Sequence, residues 1–367
     1  MITAVQPRGT GSAHRRRFRT TATALLAAGA LALSACSSTQ TPAAEEGEEA
    51  PADLTKMVVV SFLPLESFTF TPEMYAYASG LFEEHGLDVQ LQPVQGTAAA
   101  IQTLIGGATP ITRVSTVDVL PGMEEGQPIV AIGTMAYRSN LRIISTADNP
   151  IEDAADMEGA TIGMGSVGGT SEKMLNFALD DAGVPRDSVT RQAVPVTAAT
   201  YELVKQGQLD GYIVSLDTSI AITNQNEDAV SSPAGLVDAP ERQVWITTQT
   251  NTEDEAKKEQ ITAFLAAIKE STQALIDDAD NDFANVLKTI RDSGDFTFAA
   301  LEDDAIAVEA LKTYTSETWI DSTGAVGLLE NDDAAWTDIY DSYVEGGLLK
   351  GGAKPEDWIT SDLLPAD

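Results

Sequence analysis

The feature that most constrains the fold is an alternation of strand-length apolar runs with helix-length segments, which occurs twice along the chain. Residues 57–63 are largely apolar and include three consecutive valines, as expected for a strand buried on both faces. A helix is predicted at 73–85, between Pro72, which suits a helix start, and Gly86, which suits a helix end. Further strands are predicted at 89–94, 111–115 and 128–134, with a helix at 97–105. This order indicates a parallel sheet covered by helices.

The same pattern restarts after Asn140 and ends near residue 242. It predicts strands at 141–145, 160–164, 189–194 and 211–215, and helices at 171–182 and 197–206. A strand at 244–248 leads back, and from residue 253 onward the sequence becomes helical, with later helices over 301–314 and 334–344. We therefore predict a two-lobed α/β fold in which each lobe is a mainly parallel sheet with flanking helices and a cleft separates the lobes. Residues 55–139 and 243–367 form lobe 1, and residues 140–242 form lobe 2.

The N-terminal segment predicts export and lipid anchoring. Five arginines lie between positions 8 and 19, a short apolar stretch covers 20–33, and the run LSAC ends at Cys36, the only cysteine of the chain. This order is typical of an export signal, because the apolar stretch is shorter than the roughly 20 residues that cross a bilayer. LSAC resembles the lipobox of bacterial lipoproteins. We expect a signal peptide at 1–35, lipidation of Cys36, a flexible tether at 36–54 and an extracytoplasmic body anchored to the cell membrane.

Two alternatives stay open for this segment. One is an ordinary signal peptide with a chance cysteine. The other concerns the export route, which is either the general secretory or the twin-arginine pathway.

Composition and charge exclude several functions. The formal net charge of −34 repels nucleic acid and anionic lipid headgroups, so we expect no nucleic-acid partner and no membrane contact beyond the lipid anchor. One cysteine and two histidines disfavour a zinc site and exclude a disulfide within the chain. A Ser-His-Asp arrangement would have to use His85, for which helix capping is the simpler role. We therefore assign no catalytic residue, no metal and no cofactor.

The glycine-rich segment 163–171 is the sharpest local pattern. It follows a predicted strand, opens a predicted helix and formally matches the dinucleotide fingerprint G-x-G-x-x-G. That fingerprint needs an acidic residue at the end of the next strand, and residues 189–197 contain none. Backbone N–H groups at a helix start still favour an oxygen-rich group, and Ser166, Thr170 and Ser171 add hydroxyl donors. The alternative is a turn that is glycine-rich for geometry alone.

The remaining candidates follow the carboxyl ends of predicted strands, where ligands bind in open parallel sheets. They are mostly hydroxyl and amide groups with two aromatic rings, which suits a small polar ligand. From lobe 1 they are Phe68, Phe70, Gln95, Gly96, Thr97, Ser115 and Thr116, and from lobe 2 Ser166, Gly168, Gly169, Thr170, Ser171, Ser215 and Asp217.

Two charged residues complete the predicted site. Arg113 lies within a predicted strand, and a buried arginine requires either a carboxylate partner or an anionic ligand. Asp217 follows a strand end, where it either binds a ligand amine or caps the next helix. An Arg113 that faces the cleft favours a sulfonate, carboxylate or nitrate, whereas facing Phe68 and Phe70 rings favour a flat heterocycle.

Three motifs carry a family resemblance. GLFEEHGLDV at 80–89, DMEGATIG at 156–163 and GQLDG at 207–211 resemble segments of the periplasmic-type solute-binding proteins of ABC importers, in the group that handles sulfonates, nitrate, taurine and thiamine-precursor pyrimidines. The sequence departs from that pattern at 106–110, where GGATP replaces a segment that normally carries an aspartate.

The resemblance implies a type II periplasmic-binding-protein fold and the function of a solute-binding component. It implies that the protein, expected to be a monomer, closes over a small solute and then contacts an ABC permease and its ATPase. Two alternatives stay open: an enzyme of the pyrimidine-precursor type on the same scaffold, and a ligand sensor for a membrane receptor. The identity of the solute is left open.

Overall fold

The computed structural model describes residues 54–94 and 96–365. All described residues belong to one compact unit. The predicted signal peptide, Cys36 and the predicted tether up to residue 53 lie outside the described residues, as does Gln95.

Ten strands form two sheets of five. The strands are β1 (Thr55–Ser61), β2 (Leu87–Pro93), β3 (Thr112–Ser115), β4 (Ile129–Ala136), β5 (Leu141–Thr146), β6 (Thr161–Met164), β7 (Thr190–Ala193), β8 (Gly211–Ser215), β9 (Ala229–Ser232) and β10 (Gln243–Thr248). The first sheet has the order β2-β1-β3-β10-β4, and the second has the order β7-β6-β8-β5-β9.

Each sheet contains one strand that runs against the other four. In the first sheet β10 is antiparallel to both β3 and β4, whereas β1 is parallel to both β2 and β3. In the second sheet β5 is antiparallel to β8 and β9, and β6 is parallel to β7 and β8. The odd strands are therefore the ones that follow each passage of the chain from one sheet to the other. The predicted fold class, two mainly parallel sheets with flanking helices, is confirmed.

Thirteen α-helices surround the two sheets within the described residues. They are α1 (Thr71–Ser79), α2 (Leu81–Glu84), α3 (Thr97–Ile105), α4 (Thr116–Glu124), α5 (Thr170–Asp181), α6 (Tyr201–Lys205), α7 (Leu216–Gln225), α8 (Gln249–Glu253), α9 (Glu255–Asp277), α10 (Ala284–Ser293), α11 (Ala299–Glu302), α12 (Asp304–Thr313) and α13 (Asp333–Glu345). We call the first sheet with α1–α4 and α8–α13 the first half, and the second sheet with α5–α7 the second half.

The helix predicted at 73–85 is in fact two helices. Gly80 has φ of 85°, a left-handed conformation that ends α1 and lets α2 begin in a new direction. His85 follows α2, and its Nε2 lies 3.1 Å from Oε1 of Glu270 on α9. This contact joins α2 to α9.

Helix α9 covers the first sheet with the apolar face that its sequence predicts. Ile261, Phe264 and Ile268 are fully buried, and the Phe264 ring stacks on Phe82 with centroids 5.3 Å apart. Thr272, the polar residue on this face, is also buried, and its hydroxyl donates to the Ile268 carbonyl at 2.8 Å. The hydroxyl is therefore satisfied within the helix itself. Among the described helices, none combines the length and apolar composition needed to cross a bilayer.

The chain passes between the sheets twice. It leaves the first sheet after Ala136 and enters the second at Leu141, then leaves the second after Ser232 and returns at Gln243. The predicted lobe boundaries at residues 140 and 242 stay a prediction.

Candidate functional site

A cleft of about 860 Å³ lies where the strand ends of the two sheets face each other. Several parallel strands of each half end at this edge, and the loops that follow them supply the walls. Nine of the predicted site residues line it: Gly96, Thr97, Ser115, Ser166, Gly168, Gly169, Thr170, Ser171 and Ser215. Whether they bind a ligand stays a prediction. Gln95 lies outside the described residues.

Local sequence explains how the first half presents its wall. Gly96 adopts φ of 89° and immediately precedes α3, which places Thr97 at the start of that helix. Ser115 ends β3 and caps α4, because its hydroxyl accepts from the Val117 N–H at 3.3 Å. Both turns therefore bring a short polar side chain to the cleft.

The glycines of the 163–171 segment have packing and turn roles. A Cβ on Gly163 would lie 2.8 Å from both Tyr212 Cβ and Val194 Cγ2, so the strand accepts no side chain there. Gly168 has φ of 83°, which favours glycine. Gly169 precedes α5 at its N-terminus, where Thr170 and Ser171 begin the helix. The geometric alternative thus accounts for the glycines, while the hydroxyls of the same segment line the cleft.

Phe68 and Phe70 are core residues and do not line the cleft. Both rings are buried in the apolar core of the first half, and Phe68 meets Phe298 edge-on with centroids 5.3 Å apart. They lie in a short 3₁₀ turn before α1, whose neighbouring polar residues Ser67 and Thr69 line the cleft instead. In the segment SFTF, the two polar residues therefore line the cleft and the two aromatic residues pack in the core.

Arg113 also lies in the core rather than on the cleft. Only 1% of it is exposed, its Nη2 lies 3.3 Å from Glu73 Oε1, and it donates to the Thr69 carbonyl at 2.9 Å. The guanidinium lies over the Phe70 ring at 4.7 Å from the centroid. Burial lowers the pKa of Arg113 and raises that of Glu73, and each partner's charge opposes the shift of the other. The structure therefore supports a structural role for Arg113, as the ion-pair partner of Glu73. Arg113 does not line the cleft in which an anionic ligand would bind.

Thr116 and Asp217 join elements of the protein and do not line the cleft. Thr116 Oγ1 lies 2.9 Å from the Tyr343 hydroxyl on α13 and accepts from the Arg242 N–H at 3.1 Å. Asp217 Oδ1 accepts from the Ser67 hydroxyl at 3.3 Å and from the Tyr314 hydroxyl at 3.4 Å. Burial raises the pKa of the Asp217 carboxyl, with those hydroxyls opposing the shift. Asp217 thus connects α7 to two segments of the first half.

Asp118 is a cleft residue that the sequence did not indicate. It lies in the first turn of α4, and its two carboxylate oxygens accept from the second half: Oδ2 from the Thr170 hydroxyl at 2.7 Å and Oδ1 from Lys173 Nζ at 2.8 Å. Both donors belong to α5, so these bonds connect the two halves across the cleft. Its partners lie on α5, 52 and 55 positions further along the chain, so local sequence does not indicate this role.

Glu241 and Gln243 are further cleft residues that sequence reasoning missed. They lie two positions apart where the chain re-enters the first sheet. Strand β10 places Gln243 directly opposite Ser115. Only 4% of Glu241 is exposed, and burial raises the pKa of its carboxyl to about 7, against a hydrogen bond from Ser115 and the charge of Arg242. The Oε1 atom of Gln243 is buried without a hydrogen-bond partner among the described residues. A charged residue before a returning strand carries no sequence signal of a site.

Of the described residues that line the cleft, none is a histidine, and His85 pairs with Glu270 on α9. The described part of the chain also contains no group of three or more His, Cys, Asp or Glu residues arranged to hold a metal ion.

Comparison with known sequences identifies one family. A family model described as NMT1/THI5 like matches residues 67–281, which span more than half of the chain and contain parts of both halves. No curated protein sequence matches the chain significantly.

Comparison with solved structures identifies the fold. The periplasmic aliphatic sulphonate binding protein SsuA from Escherichia coli superposes with a TM-score of 0.61 at 14% identity, over 84% of this chain and 98% of that chain. The periplasmic nitrate-binding protein NrtA from Synechocystis PCC 6803 gives 0.59 at 14% identity, over 85% and 87%. The desulfurization enzyme DSZB gives 0.54 at 12% identity, over 84% and 97%. At these identities the likeness establishes a shared fold, which binding proteins and an enzyme both use.

Proposed function

The chain belongs to the NMT1/THI5-like family, and from this premise we propose that it is the solute-binding component of an ABC importer. In this proposal the two halves close over a small polar solute, and the closed form delivers it to a permease driven by a cytoplasmic ATPase. The observation that carries the proposal is the cleft of about 860 Å³ whose walls come from the strand ends of both sheets. A cleft of this size, lined mainly by hydroxyl, amide and apolar groups, suits a small molecule.

The proposal includes a location outside the cytoplasm. The support is the order of the N-terminal segment, in which basic, apolar and small residues precede Cys36. A lipid chain contributes ~0.8 kcal/mol per buried methylene, so several chains at one terminus anchor a protein stably. A Cys36→Ser variant should move from the membrane fraction to the soluble fraction. A variant that stays in the membrane fraction would contradict the anchor and leave the binding function untouched.

A thermal-shift panel tests solute binding. The purified protein is screened against sulfonates, taurine, nitrate, and pyrimidine and flavin precursors, and a ligand at 100 times its dissociation constant should add about 2.7 kcal/mol of stability. Ser166→Trp should abolish the shift by filling the cleft. Val167→Trp is the matched control, because that exposed neighbour does not line the cleft. A silent panel would exclude these solute classes as ligands, and equal binding of a panel ligand by the two variants would refute binding at this cleft.

An enzyme on the same scaffold is the second candidate, favoured by the likeness to desulfurization enzyme DSZB. The two candidates differ in the fate of the ligand. Mass spectrometry of a bound ligand after prolonged incubation should recover it unchanged if the protein is a transport component. A chemically altered product would establish the enzyme instead.

A further inference from the structure

The ionisable side chains that line the cleft form two neutralised pairs and leave one carboxylate. Asp118 pairs with Lys173 at 2.8 Å, and Glu125 lies 3.5 Å from Lys350 Nζ. The fourth ionisable residue of the described lining is Glu241. In the described part of the chain, no lysine, arginine or histidine nitrogen lies within 4.0 Å of its carboxylate. Among the described residues, the charge of Glu241 therefore has no counterion within that distance.

Burial makes this carboxylate costly for the ligand-free protein. Only 4% of Glu241 is exposed. Burial raises the pKa of its carboxyl, the charge of Arg242 favours the ionised form, and the charge of Asp118 opposes it. A buried carboxylate is stable when it is paired and hydrogen-bonded, and it is unstable when it is alone. A ligand that supplies the missing positive charge would remove that cost.

Gln243 adds an independent observation that points to the same chemistry. Its Oε1 atom is buried and accepts no hydrogen bond within the described residues, although the side chain lines the cleft. A buried acceptor left unpaired costs about 1–3 kcal/mol, so a ligand donor at this position is favourable. Glu241 and Gln243 lie two residues apart, and both residues line the same cleft.

The rest of the cleft offers no charge for an anion. Lys173 is the one cationic side chain of the described lining, and Asp118 already accepts its ammonium group. Arg113 lies outside the cleft and pairs with Glu73. Apolar side chains complete the wall, among them Phe62, Ile101 and Val196.

On the premise of the proposed function, we propose that the cleft selects a small organic cation, an amine or amidine whose N–H groups donate to Glu241 and Gln243, and that it rejects sulfonate and nitrate. The cation neutralises the lone carboxylate, and its N–H groups satisfy the orphaned acceptor. An apolar portion of the same solute packs on Phe62 and Ile101. An anion at this place would stand beside an unpaired carboxylate with no free cation to hold it.

Calorimetry with the full-length protein in detergent at pH 8 tests the selection. The cationic probes are benzamidine, agmatine and 4-aminopyridine, and the anionic probes are benzenesulfonate, ethanesulfonate and nitrate. We expect binding by at least one cationic probe and by none of the anionic probes. Binding of an anion without binding of a cation would overturn the inference and leave the proposed function standing. Silence of all six probes would also overturn it, and the proposed function would fall only if the wider panel above were silent too.

Two matched carboxamide variants locate the selection. For the tightest cationic probe, Glu241→Gln should weaken binding by about 10- to 100-fold, the loss expected for a charge-assisted hydrogen bond. Glu255→Gln removes a glutamate carboxylate that lies outside the cleft, where it is exposed and pairs with Lys258 at 3.0 Å, and it should change affinity less than about twofold. Thermal melting of both variants confirms that they are folded. Equal losses in the two variants would overturn the assignment to Glu241.

Discussion

The contact between Asp118 and α5 should hold the two halves together, and its removal should weaken ligand binding. Asp118→Asn keeps the size of the side chain and an acceptor for the Thr170 hydroxyl, but it removes the charge that pairs with Lys173. The Asp118 and Lys173 side chains are only 14% and 28% exposed, so solvent screens the pair less than a surface pair. The perturbation therefore removes an ion pair between the halves while it keeps the size of the cleft-lining side chain.

The magnitude follows from the kind of bond that is lost. A hydrogen bond to a charged group contributes about 1.5–3 kcal/mol, which corresponds to a change of about 10- to 150-fold in the ratio of closed to open protein. When the free protein is mostly open and the ligand binds the closed form, the dissociation constant rises by the same factor. Lys173→Met should give a similar rise, and the double variant should add little further, because both changes remove one interaction.

Calorimetry measures the affinities, and small-angle X-ray scattering of the free and ligand-saturated proteins measures closure. Asp282→Asn is the control, since it removes a carboxylate from an exposed ion pair with Lys312 inside the first half. It should bind like the parent protein. Unchanged affinity in both Asp118→Asn and Lys173→Met, or strictly additive losses in the double variant, would refute the reasoning.

Three further predictions concern the folded body. Arg113→Met should lower the free energy of unfolding in urea by about 3–5 kcal/mol, because it leaves Glu73 as an uncompensated buried carboxyl. The ligand affinity of the folded fraction should stay unchanged, and a loss of affinity at full stability would contradict this prediction. Burial raises the Glu241 pKa to about 7, so the folded state binds this proton more tightly than the unfolded state. The free energy of unfolding of the ligand-free protein should therefore fall by on the order of 3 kcal/mol as pH rises from 4.5 to 7. Glu241→Gln should lack that part of the pH dependence of the unfolding free energy, and identical pH profiles for the two proteins would exclude the assignment. Gly163→Ala should cost about 1–3 kcal/mol, because its Cβ would overlap Tyr212 Cβ, and a variant of parental melting temperature would show that β6 has room to shift.

Much of the architecture can be predicted from sequence because buried strands are recognisable as short apolar runs. Strand β1 contains three consecutive valines and β10 contains the apolar run at 244–246, and the break between the two α/β patterns falls where the chain changes sheets. Helix α4 was missed, since Pro121 lies inside it and proline normally argues against a helix interior. The break at Gly80 was missed because glycine lowers helix stability without dictating where a helix turns.

The candidate site likewise contains some residues whose position local sequence specifies and others whose position depends on tertiary packing. Ser115 and Ser215 line the cleft because they end strands at its edge, and that position is encoded locally, whereas their role in binding stays a prediction. The face that Phe68 and Phe70 present depends on tertiary packing against distant residues such as Phe298, which local sequence does not specify. The bond between Asp118 and Lys173 joins residues 55 positions apart, so it becomes visible only when the halves are placed side by side.

The position of β10 has a consequence for how the protein folds. The five strands of the second sheet come from one continuous stretch, whereas the first sheet needs β10 between β3 and β4. During synthesis, which starts at the N-terminus, the second sheet can therefore fold completely while the first sheet still lacks the strand between β3 and β4. Until residues 243–248 arrive, the edges of β3 and β4 stay open to mispairing, so premature truncation should yield an aggregating product even when the truncation spares every cleft residue of β1–β9.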